Sequence, residues 1–238
     1  MIANDDKTIF LMRNDLELDK IIRSLFSKIA QYKYSYNFSW LGRPHIQLPA
    51  DIVAMQEVVW SIKPDLVIET GIAHGGSLIF YASLLELLGN GEVLGVDIDI
   101  RAHNRVEIEN HPMYKRIRMI EGSSISRKIV DQVYAIAENK ENILLVLDSN
   151  HTHDHVYKEL NLYSPLVKKG SYIIVMDTII EDMPSGSFPD RPWDKGNNPK
   201  TAVHEFLKKS DRFSIDNSIT NKLLITACPD GFLRCIKN

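Results

Sequence analysis

The stretch Asp148-Ser-Asn-His151-Thr-His153-Asp154-His155 sets a carboxylate beside three alternating imidazoles. The apolar run Ile-Leu-Leu-Val-Leu ahead of it reads as a buried strand, so Asp148 stands at a strand end. Asp177 follows a similar run, as Asp97 and Glu69 follow two others. In a parallel sheet the carboxyl ends of all strands share one edge, which gathers Glu69, Asp97, Asp148 and Asp177 there. Asp148 and Asp177 suit a hard divalent cation such as Mg²⁺. Such an ion lowers the pKa of a bound substrate hydroxyl. His151 is the imidazole closest to Asp148, and it titrates near neutrality when unperturbed, so it is the candidate general base. Each histidine taken singly reads equally well as a surface or packing residue; the strand-end carboxylate singles out His151. A structural zinc on the three histidines is disfavoured, because the stretch passes from loop into helix.

A second site-bearing stretch is Asp65-Leu-Val-Ile-Glu-Thr-Gly-Ile-Ala-His-Gly-Gly-Ser77, which reads as buried strand, glycine turn and helix start. Such a unit is where open α/β sheets bind nucleotide-like cofactors. A dinucleotide fingerprint needs G-x-G-x-x-G, and here Gly71, Ala73 and Gly76 occupy those places. The glycine that admits a pyrophosphate is missing, and Glu69 repels one. A cofactor with an ammonium group and no phosphate fits better, which points to S-adenosylmethionine (SAM). E-x-G-x-A-x-G is similar to the first motif of Rossmann-like methyltransferases. Asp97, ending the second strand, is placed to accept from both ribose hydroxyls. Gly122-Ser123-Ser124 follows the third strand with short polar residues where an adenine can lie. A strand–turn–helix without ligand is the plain structural alternative.

The elements that position these residues are a Rossmann-like, doubly wound α/β fold with a mainly parallel sheet. Strands are expected at 66–70, 92–97, 117–121, 143–147 and 171–176, with helices at 77–88, 125–139 and after 152. Residues 222–227 and 232–236 flank Pro229-Asp230-Gly231, a hairpin signal, so an antiparallel C-terminal edge is expected. Asn198-Pro199 is a helix start with Asn as N-cap. Residues 179–198 are a long loop of the kind that is functional or disordered. Residues 50–62 form a helix with Asp51 in its first turn. The chain divides into an appendage at 1–49 and a cofactor-binding catalytic domain at 50–238. Residues 1–13 show no clear pattern. From Asp15 an amphipathic helix with Leu18, Ile21, Ile22, Leu25, Phe26 and Ile29 on one face predicts a cover or a subunit contact, hence a homo-oligomer. Tyr36, Trp40 and Trp193, with the 179–198 loop, are candidates to close over the site.

Composition narrows the partners. The chain has 238 residues, 44% hydrophobic and 25% charged, ordinary for a globular protein with a sizeable core. A net charge of -3 suggests neither nucleic acid nor an anionic membrane surface. No apolar run is long enough to span a bilayer, and the N-terminus lacks a leader pattern. Two cysteines, Cys228 and Cys235, read as reduced thiols, so a cytoplasmic setting is expected.

Leu-Val-Ile-Glu-Thr-Gly-Ile-Ala-His-Gly-Gly-Ser, Leu-Gly-Val-Asp-Ile-Asp, Glu-Gly-Ser-Ser, Leu-Asp-Ser-Asn-His-Thr-His-Asp-His-Val and Arg-Pro-Trp-Asp-Lys-Gly-Asn-Asn-Pro resemble the cephalosporin hydroxylase family in order and spacing. The resemblance runs from about Trp40 to the C-terminus. It implies the class I methyltransferase fold and relatives that methylate sugar hydroxyls. It implies SAM on Glu69, Gly71, Ala73, Gly75, Ser77, Asp97 and Ser123, with Asp148 shared between cofactor and metal. It implies Mg²⁺ on Asp148 and an acidic pair ending the fifth strand, with His151 as base. This chain departs from the pattern at Met176, where relatives commonly carry Glu, and at Asn150, often Asp. A thioether is a poor partner for Mg²⁺. Asp148 and Asp177, helped by Thr178 or water, remain to hold the ion; otherwise His151 acts without it.

The leading reading is a SAM-dependent O-methyltransferase with a sugar or related polyhydroxyl acceptor. The alternatives are an NAD-dependent oxidoreductase and a non-catalytic relative that binds SAM only. Iron-dependent hydroxylation, which the family's name suggests, lacks a convincing ligand triad. The ribose assignment is open to a direct test. Asp97→Ala is expected to abolish SAM binding in calorimetric titration while leaving the circular dichroism spectrum unchanged. Retained affinity sinks that assignment.

Overall fold

The computed structural model describes residues 6–238; the absence of a leader pattern concerns residues 1–5, outside them. In chain order the elements are α1 (Asp6–Arg13), α2 (Leu16–Ala30), β1 (Ser39–Trp40), β2 (Arg43–Pro44), α3 (Pro49–Ile62), β3 (Leu66–Thr70), α4 (Gly76–Leu88) and β4 (Glu92–Asp97). There follow α5 (Ala102–Glu109), β5 (Ile117–Glu121), α6 (Arg127–Ala137), β6 (Ile143–Leu147), α7 (His153–Tyr163) and β7 (Tyr172–Val175). The chain closes with α8 (Pro199–Lys209), β8 (Phe213–Ile215), α9 (Asn217–Lys222) and β9 (Phe232–Cys235). Among the described residues, no helix is long and apolar enough to cross a membrane.

Seven described strands form one sheet in the order β5-β4-β3-β6-β7-β9-β8. β5 through β7 run parallel, and β9 is antiparallel to both β7 and β8. The order reverses between β3 and β6, so the carboxyl ends of these two strands flank a crevice. Side chains alternate faces along each strand. Val67, Leu144 and Ile174 pack with α3 and α4 on one face. Leu66, Ile68, Leu145 and Ile173 pack with α6, α7 and α8 on the other. Both faces are covered, and β6 accordingly reads as an unbroken apolar run and β3 as one up to Ile68. By the same alternation Glu69 and Asp148 project to the α4 face.

The expected hairpin is replaced by a different antiparallel edge. Residues 217–222 are helical, capped by Asp216, whose carboxylate accepts from Ser218 N. Residues 223–227 form no ladder. Instead the Ala227 amide donates to Asp51 Oδ2 at 2.8 Å and the Thr226 hydroxyl to Asp51 Oδ1 at 2.5 Å. The turn at 229–231 then delivers β9 beside β7. There the Val175 amide donates to Gly231 O, and a Cβ on Gly231 would meet Val175 O at 2.3 Å. Asp51 is thus no solvated first-turn carboxylate. It is fully buried and pinned to the C-terminal segment, and burial pushes its pKa up to about 7.

The N-terminal part holds one helix more than expected, α1, ahead of α2. Asp15 caps α2 through Glu17 N and Leu18 N, both at 3.0 Å. α2 buries no residue, and Ile21 and Leu25 of its apolar stripe stay exposed, as does Leu16 at its start. Residues 39–48 lie against the body of the sheet domain. Trp40 does not close over the site: its indole donates to Ser83 Oγ at 3.0 Å and packs edge-on against Phe80.

Asp51→Ala strands the partly buried Ala227 amide and the buried Thr226 hydroxyl. It is expected to destabilise the protein by about 2–4 kcal/mol in urea unfolding. A loss under about 0.5 kcal/mol would show that the 223–231 segment is held by other contacts.

Candidate functional site

The glycine loop between β3 and α4 is shaped by what passes close to it. Gly71 has φ +94, and a Cβ there would stand 2.1 Å from the Asp148 carbonyl oxygen. Any side chain at 71 would therefore push the loop off the strand that carries Asp148. Ala73 takes the place of the middle glycine yet keeps a left-handed φ of 46. Its methyl strains the backbone by roughly 1 kcal/mol. Asp97 Oδ2 accepts from the Ile72 and Ala73 amides at 2.7 and 3.3 Å, and Oδ1 accepts from the Asp99 amide at 3.1 Å. The residue expected to bind ribose thus also pins the loop. Both lone pairs of Oδ2 are taken by the loop amides, and Oδ1 keeps one for a hydroxyl.

Glu69 is fully buried. Its Oε2 accepts from Ser77 Oγ at 2.6 Å, and its Oε1 has no partner. Burial first, with the Asp97 charge adding and the Ser77 bond opposing, pushes its pKa up to about 8. An orphaned acceptor beside the loop is what a cofactor ammonium would satisfy. Gly75 is the left-handed residue before α4. Ser123 stands in the loop after β5, where its carbonyl accepts from Ser126 N.

Asp148, His151 and Asp177 converge: each offers a ligand atom, and these lie within 4.8 Å of one another. His151 Nε2 is 3.3 Å from Asp177 Oδ2, and its ring stands edge-on to Trp193, centroids 4.7 Å apart. Trp193 thereby brings the 179–198 loop against His151. Burial and then the charges of Asp177, Glu69 and Glu159 hold the Asp148 pKa well above the carboxylate range. The crowded edge calls for positive charge.

Thr178 does not join this cluster. Its side chain is fully buried, and its hydroxyl donates to Pro229 O at 2.6 Å. Met176 lies in the core with its Sδ 3.3 Å from Cys228 Sγ. The carboxylates left that could hold a cation such as Mg²⁺ are therefore Asp148 and Asp177. Two carboxylates are what such sites commonly offer, with waters completing the octahedron.

The other two histidines diverge. His153 bridges to α8, with Nδ1 2.8 Å from Thr201 Oγ1 and Nε2 3.0 Å from Glu205 Oε2. His155 turns to Ser124 and Ser149. Asn150 caps the turn ahead of α7 through Thr152. The structure also adds residues that periodicity does not single out. Arg43 donates to the His74 carbonyl at 2.7 Å, and Asn104 Nδ2 to the Ala73 carbonyl at 2.9 Å, so both clamp the glycine loop. The long loop closes on itself through Glu181, which accepts from Gly196 N and Asn198 Nδ2.

A family model described as "Rhamnosyl O-methyltransferase/CmcI" matches residues 32–236. Rhamnosyl O-methyltransferase of Mycobacterium tuberculosis is 30% identical over 190 residues, covering 77% of this chain and 72% of that protein. The protein of the same name from Mycobacterium leprae is 30% identical over 148 residues, 61% of this chain and 62% of that one. An apo structure of CmcI aligns with TM-score 0.60 at 18% identity, over 85% of this chain and 78% of its own. The O-methyltransferase TomG from Streptomyces achromogenes, in complex with SAM, aligns with TM-score 0.57 at 15% identity, over 90% and 89%. The two structures share the fold. The expected resemblance and fold class hold, and relatives of these names favour methyl transfer over hydride transfer.

The Glu69 carboxyl titrates near 4.5 in the unfolded chain and near 8 in the folded one. Between these values the native state keeps a proton that the unfolded state has lost. Its contribution is therefore full below about pH 4.5 and is lost as pH rises to about 8. Glu69→Gln is expected to remove this share of the slope, on the order of 4 kcal/mol between pH 5 and 8, in urea unfolding. An unaltered slope would mean that Glu69 is ionised in the native protein.

Proposed function

The chain belongs to the rhamnosyl O-methyltransferase/CmcI family, and from that premise we propose that it methylates a hydroxyl of a sugar. The observation that carries the reading is the close approach of the glycine loop to Asp148. It sets the glycine turn directly beside a carboxylate–imidazole cluster. A deoxyhexose such as rhamnose is the acceptor class that the relatives' names suggest.

In this reading Asp97 and Ser123 hold the ribose and adenine, and Glu69 faces the ammonium of the methionine end. Gly71, Ala73, Gly75 and Ser77 supply the turn. When bound, SAM supplies a methyl group on a sulfonium, whose positive charge the acidic edge favours. Mg²⁺ on Asp148 and Asp177 would lower the acceptor hydroxyl's pKa. Asp177 orients His151 through Nε2, which leaves Nδ1 to take the acceptor proton. In such a transfer the proton displaced from the acceptor oxygen would rest on His151, and the acidic edge formed by Asp148 and Asp177 would favour the charged sulfonium donor. Trp193 packs the imidazole in place and excludes water. Much of the rate comes from holding oxygen and methyl in line at attack distance. Self-association through the exposed stripe of α2 and a cytoplasmic setting belong to the same reading.

The test is release of S-adenosylhomocysteine (SAH) from SAM in the presence of rhamnosides, with Mg²⁺ titrated in. Turnover is expected, and His151→Ala is expected to lower kcat by 10²–10⁴, the usual weight of general base catalysis. Full activity of that variant removes His151 as base. Binding of SAM without turnover on any sugar overturns the acceptor class.

A further inference from the structure

His155 is the member of the histidine run that the proposed chemistry leaves unused. Its Nε2 lies 3.1 Å from Ser124 Oγ and 3.1 Å from Ser149 Oγ. Ser149 donates to Glu159 Oε1 at 2.8 Å, and Glu159 is fully buried with its Oε2 unpartnered. Ser124 is itself buried, and its carbonyl accepts from the Tyr163 hydroxyl. Two of these groups sit next to named site residues. Ser124 follows Ser123 in the loop after β5, and Ser149 follows Asp148 in the loop after β6. β4 and β3 lie between those strands. Three strand spacings put them about 14 Å apart in the sheet, beyond the reach of any backbone ladder between them.

Proton counting fixes the directions. Ser149 has a single hydroxyl proton and gives it to Glu159. Its contact with His155 therefore requires Nε2 to carry a proton and donate. Ser124 then accepts the shared proton, and its own hydroxyl proton is left for an acceptor outside the cluster. The loop after β5 is where the SAM reading lays the adenine, a ring rich in acceptor nitrogens.

We propose that His155 is a positioning residue that couples the two loops. Through Ser124 it holds the loop that receives the adenine. Through Ser149 and Glu159 it holds the loop that carries Asp148 and His151. An adenine that takes the Ser124 proton polarises the whole chain of hydrogen bonds and so sets the catalytic loop. The inference rests on the SAM reading of the glycine loop.

The experiment uses adenosine, which fills the adenine end alone, and follows the imidazole resonance of His151 in histidine-labelled protein. The resonance is assigned with His151→Gln. In the wild type, saturating adenosine is expected to move that resonance. In His155→Ala, adenosine and SAH are expected to bind about tenfold more weakly, the effect of one ordinary hydrogen bond. At saturation the His151 shift is expected to vanish. His155→Gln keeps an N–H donor and is expected to restore it. Ser124→Ala should reproduce the loss and serves if His155→Ala fails to fold by circular dichroism. A His151 shift that persists undiminished in both variants overturns the coupling. So does a wild type that binds adenosine without any shift. A wild type that binds neither adenosine nor SAH overturns the cofactor reading, a separate failure that removes the coupling's premise.

Discussion

Like charge held close together is the constraint on which this molecule turns. Parallel strands end on one edge, and this chain places a carboxylate at, or within two residues of, the end of each: Glu69, Asp97, Glu121, Asp148 and Asp177. Helices and loops bring Asp51 and Glu159 to the same region, so repulsion and dehydration act on all of them at once. Each is answered differently. Asp97 takes three backbone amides, Asp51 an amide and a hydroxyl, and Glu159 a hydroxyl. Glu69 keeps one oxygen unanswered, and Asp148 is held far from ionising ease. An edge left in that condition selects a positively charged ligand over a phosphate.

The second constraint is distance between backbones. The glycine loop touches Asp148 on one side and the Pro44 carbonyl on the other, where a Cβ on Gly76 would stand 2.1 Å away. Arg43 and Asn104 then hold the loop's carbonyls from outside. The segment around β2 is therefore part of the glycine loop's support, even though it comes some thirty residues earlier.

Much of this is legible in the sequence, for physical reasons. β3 and β6 are covered on both faces, so their apolar runs are continuous and unambiguous. Their carboxyl ends must meet because the sheet is parallel. Asn198-Pro199 announces its helix through cap chemistry, and the structure shows the full capping box with Thr201. What escapes is long-range. Residues 222–227 have strand-like composition, yet Asp51, far away in sequence, takes their hydrogen bonds. Thr178 lies beside a metal candidate but is turned to Pro229. α1 is short, and its one partner helix of note, α9, comes two hundred residues later. His155 reads as one of three equivalent imidazoles until Ser124 and Glu159 are seen around it.

The insertion of β9 between β7 and β8 bears on how the molecule is built. β3 to β7 pair through successive crossovers and can assemble in the order of synthesis. β9 is the last strand in the chain, yet it must enter between two strands already made. The turn that leads into it carries Pro229, the acceptor for Thr178, and follows the residues that satisfy Asp51. The support behind Asp177 is therefore completed last. Assembly of the catalytic geometry becomes a late, non-local step, and slow closure of such contacts is what high contact order imposes.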